Sequence, residues 1–285
     1  MKVAGVSFDI SRKFSEVEDW VHHFFKINDH LVRENHQFII YPELMFLALS
    51  QFYPRLTGKE QLKAVHQAVR DQFLPQFIKK MNKREGVVVL GSTPWEEGGK
   101  VYNRSLIYLN GELLWQDKLY LTPWEKDFST KEELKIFEYK GIRFVVLTCF
   151  DIEQPFLSYQ LKSQNIHMIL CPYATESILG SQRVLRCASA RAVELGVAVL
   201  AVPLLGSGLE CDLISSNEGQ QGFFLPSQEK ILAEKVDLSD YRARGDFFKS
   251  YSLRVEDLMK IKNPSEETKP FFTQDPKTII FANLN

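Results

Sequence analysis

Three polar side chains stand where an apolar run stops: Glu43 after FIIYP, Lys118 after ELLWQD and Cys149 after FVVLT. Together they offer a carboxylate, an ammonium and a thiol. A thiol is a weak nucleophile until a base takes its proton, and Glu43 could be that base if burial raises its pKa toward neutrality. Lys118 would favour the thiolate and stabilise the oxyanion formed when sulfur attacks a carbonyl or nitrile carbon. The backbone N–H of Phe150, one residue past the thiol, could give a second oxyanion donor. Attack, protonation of the leaving group by Glu43 and hydrolysis of the thioester would close a ping-pong cycle.

Each residue alone has a plainer reading. Free cysteine is among the most buried residue types and is usually inert, while Glu and Lys are usually solvated. Cys171 ends a similar run in MILCP, so position alone does not single out Cys149. His22 and His23 are neighbours on a helical pattern, project about 100° apart and cannot chelate together. A Cys-His pairing through His167 is an alternative that needs activity to survive Glu43→Gln. The sequence contains no Gly-x-Ser-x-Gly elbow, Walker phosphate loop, Gly-x-Gly-x-x-Gly or His-Glu-x-x-His. From residue types and spacing alone, a thiol hydrolase and an inert core cysteine both stand.

The elements around these residues explain how they could meet. KVAGVSFDI reads as a first strand. SEVEDWVHHFFKINDHL predicts an amphipathic helix opened by a Ser15–Glu18 capping box, with Val17, Trp20, Val21, Phe24, Ile27 and Leu31 on one face. QFIIYPE is a strand stopped at Pro42, which has no donor for a ladder. A second helical stretch aligns Leu62, Val65, Val69 and Phe73, with Pro75 expected to kink or end it, and GVVVLG follows as a strand. Asn110-Gly111 and Lys140-Gly141 mark two hairpins, because both turn positions accept positive φ. A helix after Pro155, the strand HMILCP, a helix from about Ser181 to Leu195 and the strand VAVLAVPLL complete the alternation. This order predicts an α/β fold: a four-layer α/β/β/α sandwich of two mixed β-sheets with outer helices. Side chains beyond strand carboxyl ends gather at one rim of such sheets, so the three polar residues could converge there. One domain is expected over 1–285, with about 258–285 an extended C-terminal arm whose TIIFANL could pair as an edge strand.

Composition narrows the partners. The 285 residues are 45% hydrophobic, which suffices for a large core, and 35 basic against 36 acidic side chains leave no broad basic surface for nucleic acid or anionic lipid. MKVAGVSFDI lacks a cationic leader, and no run reaches membrane-spanning length. Cys149, Cys171, Cys187 and Cys211 are widely spaced, so neither structural zinc nor a disulfide scaffold is expected. The expectation is a cytoplasmic protein with reduced thiols, no metal, no cofactor and a small-molecule partner.

The segments IIYPE, DKLYLTPWE and VVLTCFD, in this order and approximate spacing, resemble the nitrilase (carbon-nitrogen hydrolase) superfamily over nearly the whole chain. SARAVELGVAVLAV, with Arg191, Ala192 and Glu194, looks like the superfamily's helix and following strand, and KILAEKVDLSDYRAR resembles its closing strand and arm. The resemblance implies Glu43 as general base, Lys118 as transition-state stabiliser, Cys149 as nucleophile and Glu125 as the additional glutamate that orients Lys118 and substrate. It also implies the α/β/β/α sandwich and a homodimer or larger homo-oligomer. Cys-Phe-Asp is more similar to the amidases of the superfamily than to its nitrilases, which carry Cys-Trp-Glu, so a linear amide is the expected substrate. Asp151 is expected to anchor the turn, Phe150 to line the pocket, and Tyr173, Ala174 and Glu176 to stand near it. Ser7, Leu195 and Pro203 depart from the superfamily pattern, as do DIEQP and CPYATES, and all fall outside the catalytic set. A carbamoyl-amide hydrolase, an acyl transferase or a catalytically silent binding module would fit the same scaffold.

Overall fold

The computed structural model describes residues 1–82, 84–207, 216–226, 233–238, 246–260 and 278–281. Its first half runs β1 (Lys2–Ser7), α1 (Val17–Arg33), β2 (Phe38–Ile40), a 3-10 stretch (Met45–Phe52), α2 (Gly58–Ala68), a π turn (Val69–Phe73), α3 (Leu74–Met81), β3 (Val87–Glu97), β4 (Lys100–Leu109) and β5 (Glu112–Asp117). The second half runs β6 (Glu133–Tyr139), β7 (Ile142–Val146), a 3-10 turn (Cys149–Glu153), α4 (Pro155–Leu161), β8 (Met168–Tyr173), α5 (Ile178–Leu195) and β9 (Ala198–Pro203). Short β10 (Gly206–Ser207) and β11 (Ser216–Asn217) follow, then β12 (Gly222–Pro226), β13 (Ala233–Leu238), β14 (Phe247–Ser252), α6 (Val255–Lys260) and β15 (Thr278–Phe281).

These strands build two mixed sheets. One has the order β14-β1-β2-β3-β4-β5 and the other β13-β12-β9-β8-β7-β6-β15, with β10 and β11 as a separate ribbon. In the first sheet β1, β2 and β3 are parallel, and in the second β7, β8 and β9 are parallel. The strand alternation sorts side chains into three cores. Val3, Phe38, Ile40, Val87 and Val89 of one sheet meet Phe144, Val146, Met168, Leu170 and Leu200 of the other. Their odd-even neighbours Ala4, Val6, Ile39 and Val88 face α1, α2 and α3, while Val145, Ile169, Cys171 and Val199 face α4 and α5. Central strands buried on both faces read as continuous apolar runs for this reason. The result is the α/β/β/α sandwich.

Local expectations hold with three corrections. Helix α1 starts at Val17 with Glu16 as its N-cap and no side-chain cap bond, so the Ser15–Glu18 capping box does not form. Glu18 instead accepts from Gln76 Nε2 at 3.0 Å, tying α1 to α3. Pro75 neither ends nor breaks the second helical stretch, because the π turn before it supplies the wider loop that a residue without an N–H requires. Helix α5 starts three residues earlier than its apolar pattern indicates, since Ser177 caps it by accepting Gly180 N–H at 3.2 Å. Asn110 and Gly111 (φ 49° and 101°) and Lys140 and Gly141 (φ 50° and 79°) turn the two hairpins. Strand β15 pairs in parallel with β6 of the same chain. Cys211, most of the proposed arm (261–277 and 282–285) and 239–245 lie outside the described residues. Among the described residues no helix is long and apolar enough to cross a membrane.

Candidate active site

Glu43 is set by β2 and β3 together. Tyr41 N–H donates to Val89 O at 2.8 Å, Pro42 stops the ladder, and Leu44, in left-handed backbone (φ 54°), donates its N–H to Ser92 Oγ at 3.0 Å. The register of β3 against β4 shifts between Val89 and Ser92, which brings Gly91 against the chain at Pro42. A Cβ on Gly91 would stand 1.8 Å from Pro42 O, and its φ is +65°, so only glycine fits. This close approach holds the Pro42–Leu44 turn, and Glu43 with it, at the sheet end.

Lys118 follows β5, with its N–H on Asn103 O at 2.8 Å. Its ammonium lies between two carboxylates, Glu43 Oε1 at 2.8 Å and Glu125 Oε2 at 2.7 Å. All three side chains are closed off from solvent. Glu125 sits in the turn that it also closes: its Oε2 accepts Thr122 N–H at 2.9 Å and Thr122 Oγ at 2.8 Å. The Asn103 amide of β4 bridges the two glutamates, at 2.9 Å to each.

Cys149 comes from the other sheet. After β7 the chain makes a capping box in which Thr148 and Asp151 satisfy each other's backbone, and Cys149 opens the 3-10 turn at φ +50°. A β-substituted residue in that region carries strain that its surroundings must hold in place. Asp151 does much of the holding: its carboxylate accepts Thr148 N–H at 3.1 Å, Leu119 N–H at 3.1 Å and Tyr120 N–H at 2.8 Å. Ser105 of β4 and Thr148 share a further buried hydrogen bond of 3.1 Å. Cys149 Sγ lies 3.4 Å from Ala174 O, and the Ala174 N–H donates to Glu43 Oε2 at 2.8 Å.

The electrostatics follow from burial. Desolvation pushes the Glu43 carboxyl up, Lys118 pulls it partly back and Glu125 raises it again. Desolvation and then the Glu43 charge hold the Cys149 thiol well above its ordinary value, with Lys118 opposing. Burial alone would depress Lys118, but Glu43, Cys149 and Glu125 hold it above its ordinary value. The resting arrangement is therefore a neutral thiol beside an ammonium clamped by carboxylates. Such a set can pass one proton from sulfur to a carboxylate and steady a negative oxygen nearby.

A cavity of about 260 Å³ opens onto Cys149 and Ala174. Thr122, Pro123 and Trp124 form one wall, and Thr175, Glu176, Ser177 and Arg183 at the start of α5, with Asn217, form the other. Of the residues expected at the site, Glu43, Lys118, Glu125, Cys149 and Ala174 come together, and Glu176 borders the cavity. Phe150 is half-buried in the 3-10 turn and does not border it. Tyr173 is fully buried and does not border the cavity, with its hydroxyl on Ser181 Oγ at 2.7 Å and Gln220 O at 2.5 Å. Its side chain points to the α5 face because strand alternation sends it opposite to Pro172 and Ala174. His167 precedes β8, at the opposite end of the parallel strands from Cys149, and accepts Arg143 N–H at 3.0 Å. Sequence reasoning missed Asn103, Trp124, Arg183 and Asn217. Of these, only Asn103 left a signal, as a lone amide inside the apolar strand KVYNRSLIYL.

Residues 6–233 match the carbon-nitrogen hydrolase family. An (R)-stereoselective amidase from a Pseudomonas species is 30% identical over 115 residues, which is 40% of this chain and 42% of that enzyme, so the match spans less than half of either. The fold is similar to Saccharomyces cerevisiae Nit3, a nitrilase-superfamily member, with TM-score 0.67 at 16% identity over 94% of this chain and 96% of that one. It is also similar to the AN1 amidase of Nesterenkonia, with TM-score 0.66 at 17% identity over 92% and 94%. A glutamine-dependent NAD+ synthetase from Acinetobacter baumannii shares the fold over 95% of this chain but 48% of its own length, with TM-score 0.67 at 18% identity. With the family matched across most of its length and the sandwich shared, the chain belongs to the carbon-nitrogen hydrolase family.

Proposed function

We propose that the protein is a cysteine-dependent amidase that cleaves the C–N bond of a small linear amide through a thioester on Cys149. The observation that carries this reading is the buried Lys118 ammonium held between Glu43 and Glu125, with Glu43 and Cys149 meeting at Ala174. Sulfur attacks the amide carbon as its proton passes to Glu43, and the carbonyl electron pair becomes an oxyanion. Lys118 and the Phe150 N–H stabilise that oxygen. Glu43 then returns the proton to the leaving nitrogen, the C–N bond breaks and ammonia or an amine departs. Water attacks the thioester, its proton goes to Glu43, and the C–S bond breaks as sulfur recovers a proton. The acid leaves, and the enzyme is regenerated with no cofactor in the cycle.

The same reading places the enzyme in the reducing cytoplasm, where the thiol persists, and pairs it with a second copy. Exposed Phe156 and Tyr159 on α4 support such an assembly, which light scattering would measure. The function is tested by ammonia release from a panel of linear amides, together with intact-mass detection of an acyl adduct on Cys149. An adduct that turns over into acid supports the proposal. An adduct transferred only to an added amine makes the protein an acyl transferase, and no adduct with any amide rejects both.

A further inference from the structure

Two glutamates flank Lys118, yet only one of them meets the thiol, and the side chain that distinguishes them is Asn103. It projects from β4 into the sealed end of the site, fully buried. Its two amide hydrogens are divided, one to Glu43 Oε1 at 2.9 Å and one to Glu125 Oε1 at 2.9 Å. Its Oδ1 is buried and has no donor among the described residues. The amide is thus oriented by its donors alone, and the flipped amide would set its carbonyl oxygen against two carboxylates.

The acceptor sites of each glutamate then fill unequally. Glu125 takes Asn103 on one oxygen and Lys118, Thr122 N–H and Thr122 Oγ on the other, four donors in all. Among the described residues, Glu43 takes Lys118 and Asn103 on Oε1, and on Oε2 it takes the Ala174 backbone N–H. A carboxylate oxygen offers about two lone-pair sites, so Glu43 keeps one on the oxygen beside Ala174, whose carbonyl is 3.4 Å from Cys149 Sγ.

We propose that Asn103 is a positioning residue that assigns the two glutamates their tasks: by occupying the inner oxygen of each, it keeps Glu125 as the counter-ion of Lys118 and turns the open oxygen of Glu43 to the Cys149 thiol. The inference rests on Cys149 being the nucleophile. Without Asn103, Glu43 Oε1 has only Lys118, the carboxylate can rotate toward the ammonium, and the thiol loses its base. The loss of a donor also makes the buried charge on Glu43 harder to hold, so its protonation moves toward higher pH.

The test needs no knowledge of the substrate. Limiting iodoacetamide is applied from pH 5 to 9, and the alkylation rates of the Cys149 and Cys171 peptides are followed by mass spectrometry in wild type, Asn103→Leu and Asn103→Asp, with thermal melts alongside. In Asn103→Leu, Cys149 is expected to react at least about tenfold more slowly at pH 7, with its acid-side inflection raised by about one pH unit. Asn103→Asp keeps the shape and remains informative if the leucine variant does not fold. It is expected to recover reactivity only on the acid side, where its own proton can be donated to one glutamate. If a folded variant melts lower but Cys149 keeps its wild-type rate and pH dependence, Asn103 is merely structural and the proposal is overturned. If wild-type Cys149 reacts no faster than Cys171, the nucleophile reading itself is overturned, and this inference falls with it.

Discussion

The carboxylate of Asp151 receives the backbone N–H of Tyr120 at 2.8 Å, joining the turn that carries Cys149 to the segment that carries Lys118. Cys149 and Lys118 come from different sheets, and this carboxylate, with its bonds to Leu119 and Thr148, fixes one relative to the other. The acid of the Cys-Phe-Asp triplet therefore acts on the geometry of the site without touching the reacting atoms.

Asp151→Asn keeps the size of the side chain and puts an N–H₂ where an acceptor stood. It is expected to cost about 1 to 3 kcal/mol, the penalty for buried N–H groups left without partners. Cys149 alkylation should slow even at temperatures where the variant is fully folded. Melting curves and iodoacetamide rates, compared on the same sample, check both halves.

Burial raises the Asp151 pKa from 3.8 to about 7, so the folded protein binds a proton there that the unfolded chain has released. The associated stability is fully present below about pH 4 and is lost as pH rises through about 7, on the order of 4 kcal/mol in all. Urea unfolding at several pH values should show stability falling across this window in wild type, and a flatter dependence in Asp151→Asn.

Catalysis should respond to acid in the opposite sense. In the proposed mechanism Glu43 must be ionised to accept the thiol proton, and its pKa is raised by burial. Amide turnover should therefore fall as pH drops through a value above the ordinary carboxylate range. Glu43→Gln should remove about 10² to 10⁴ of the rate at neutral pH, the usual contribution of a general base. Initial rates of ammonia release give both numbers.

The two strand-end thiols should separate cleanly. Cys149→Ala should abolish turnover and acyl-adduct formation. Cys171, packed on β8 among Val145, Ile169 and Ala201, should yield an active Cys171→Ala variant that is less stable by about 1 kcal/mol for the lost buried sulfur. Activity and denaturation midpoints of the two variants decide this.

Tyr173→Phe tests whether this buried side chain serves the fold rather than the reaction. Loss of its hydroxyl breaks its buried bonds to Ser181 and Gln220. The expected cost is about 1 to 2 kcal/mol of stability with kcat/KM unchanged, read from melts and amide kinetics.

What the sequence revealed and what it hid follow from physical range. The sheets were legible because period-two and continuous apolar runs reflect burial on one or both faces, and the hairpins because Asn110-Gly111 and Lys140-Gly141 satisfy a local φ requirement. Glu43, Lys118 and Cys149 could be named because each ends or follows an apolar strand and falls in a motif with family precedent, and Glu125 because it falls in such a motif. The Ser15–Glu18 box failed because Gln76, 58 residues away from Glu18, takes the glutamate that the local rule had assigned to the cap. Tyr173 faces α5 by strand alternation, and its bonds to Ser181 and Gln220 are contacts that no local pattern reveals. Asn103 was passed over because its value lies in bridging residues 60 and 22 positions away, which no local pattern encodes.

Glu43, Asn103 and Lys118 belong to the first sheet and its margins, while Cys149 and Ala174 belong to the second. Neither sheet alone brings Cys149 together with Glu43 and Lys118. During synthesis, a chain that has emerged only as far as β5 and Glu125 carries Glu43 and Lys118 without Cys149. A chain whose halves have come apart carries a cysteine with no base beside it. On the proposed mechanism, reactivity toward amides therefore requires the two sheets to be closed on each other, and copies in which they are apart are expected to be chemically harmless to the amides and esters around them.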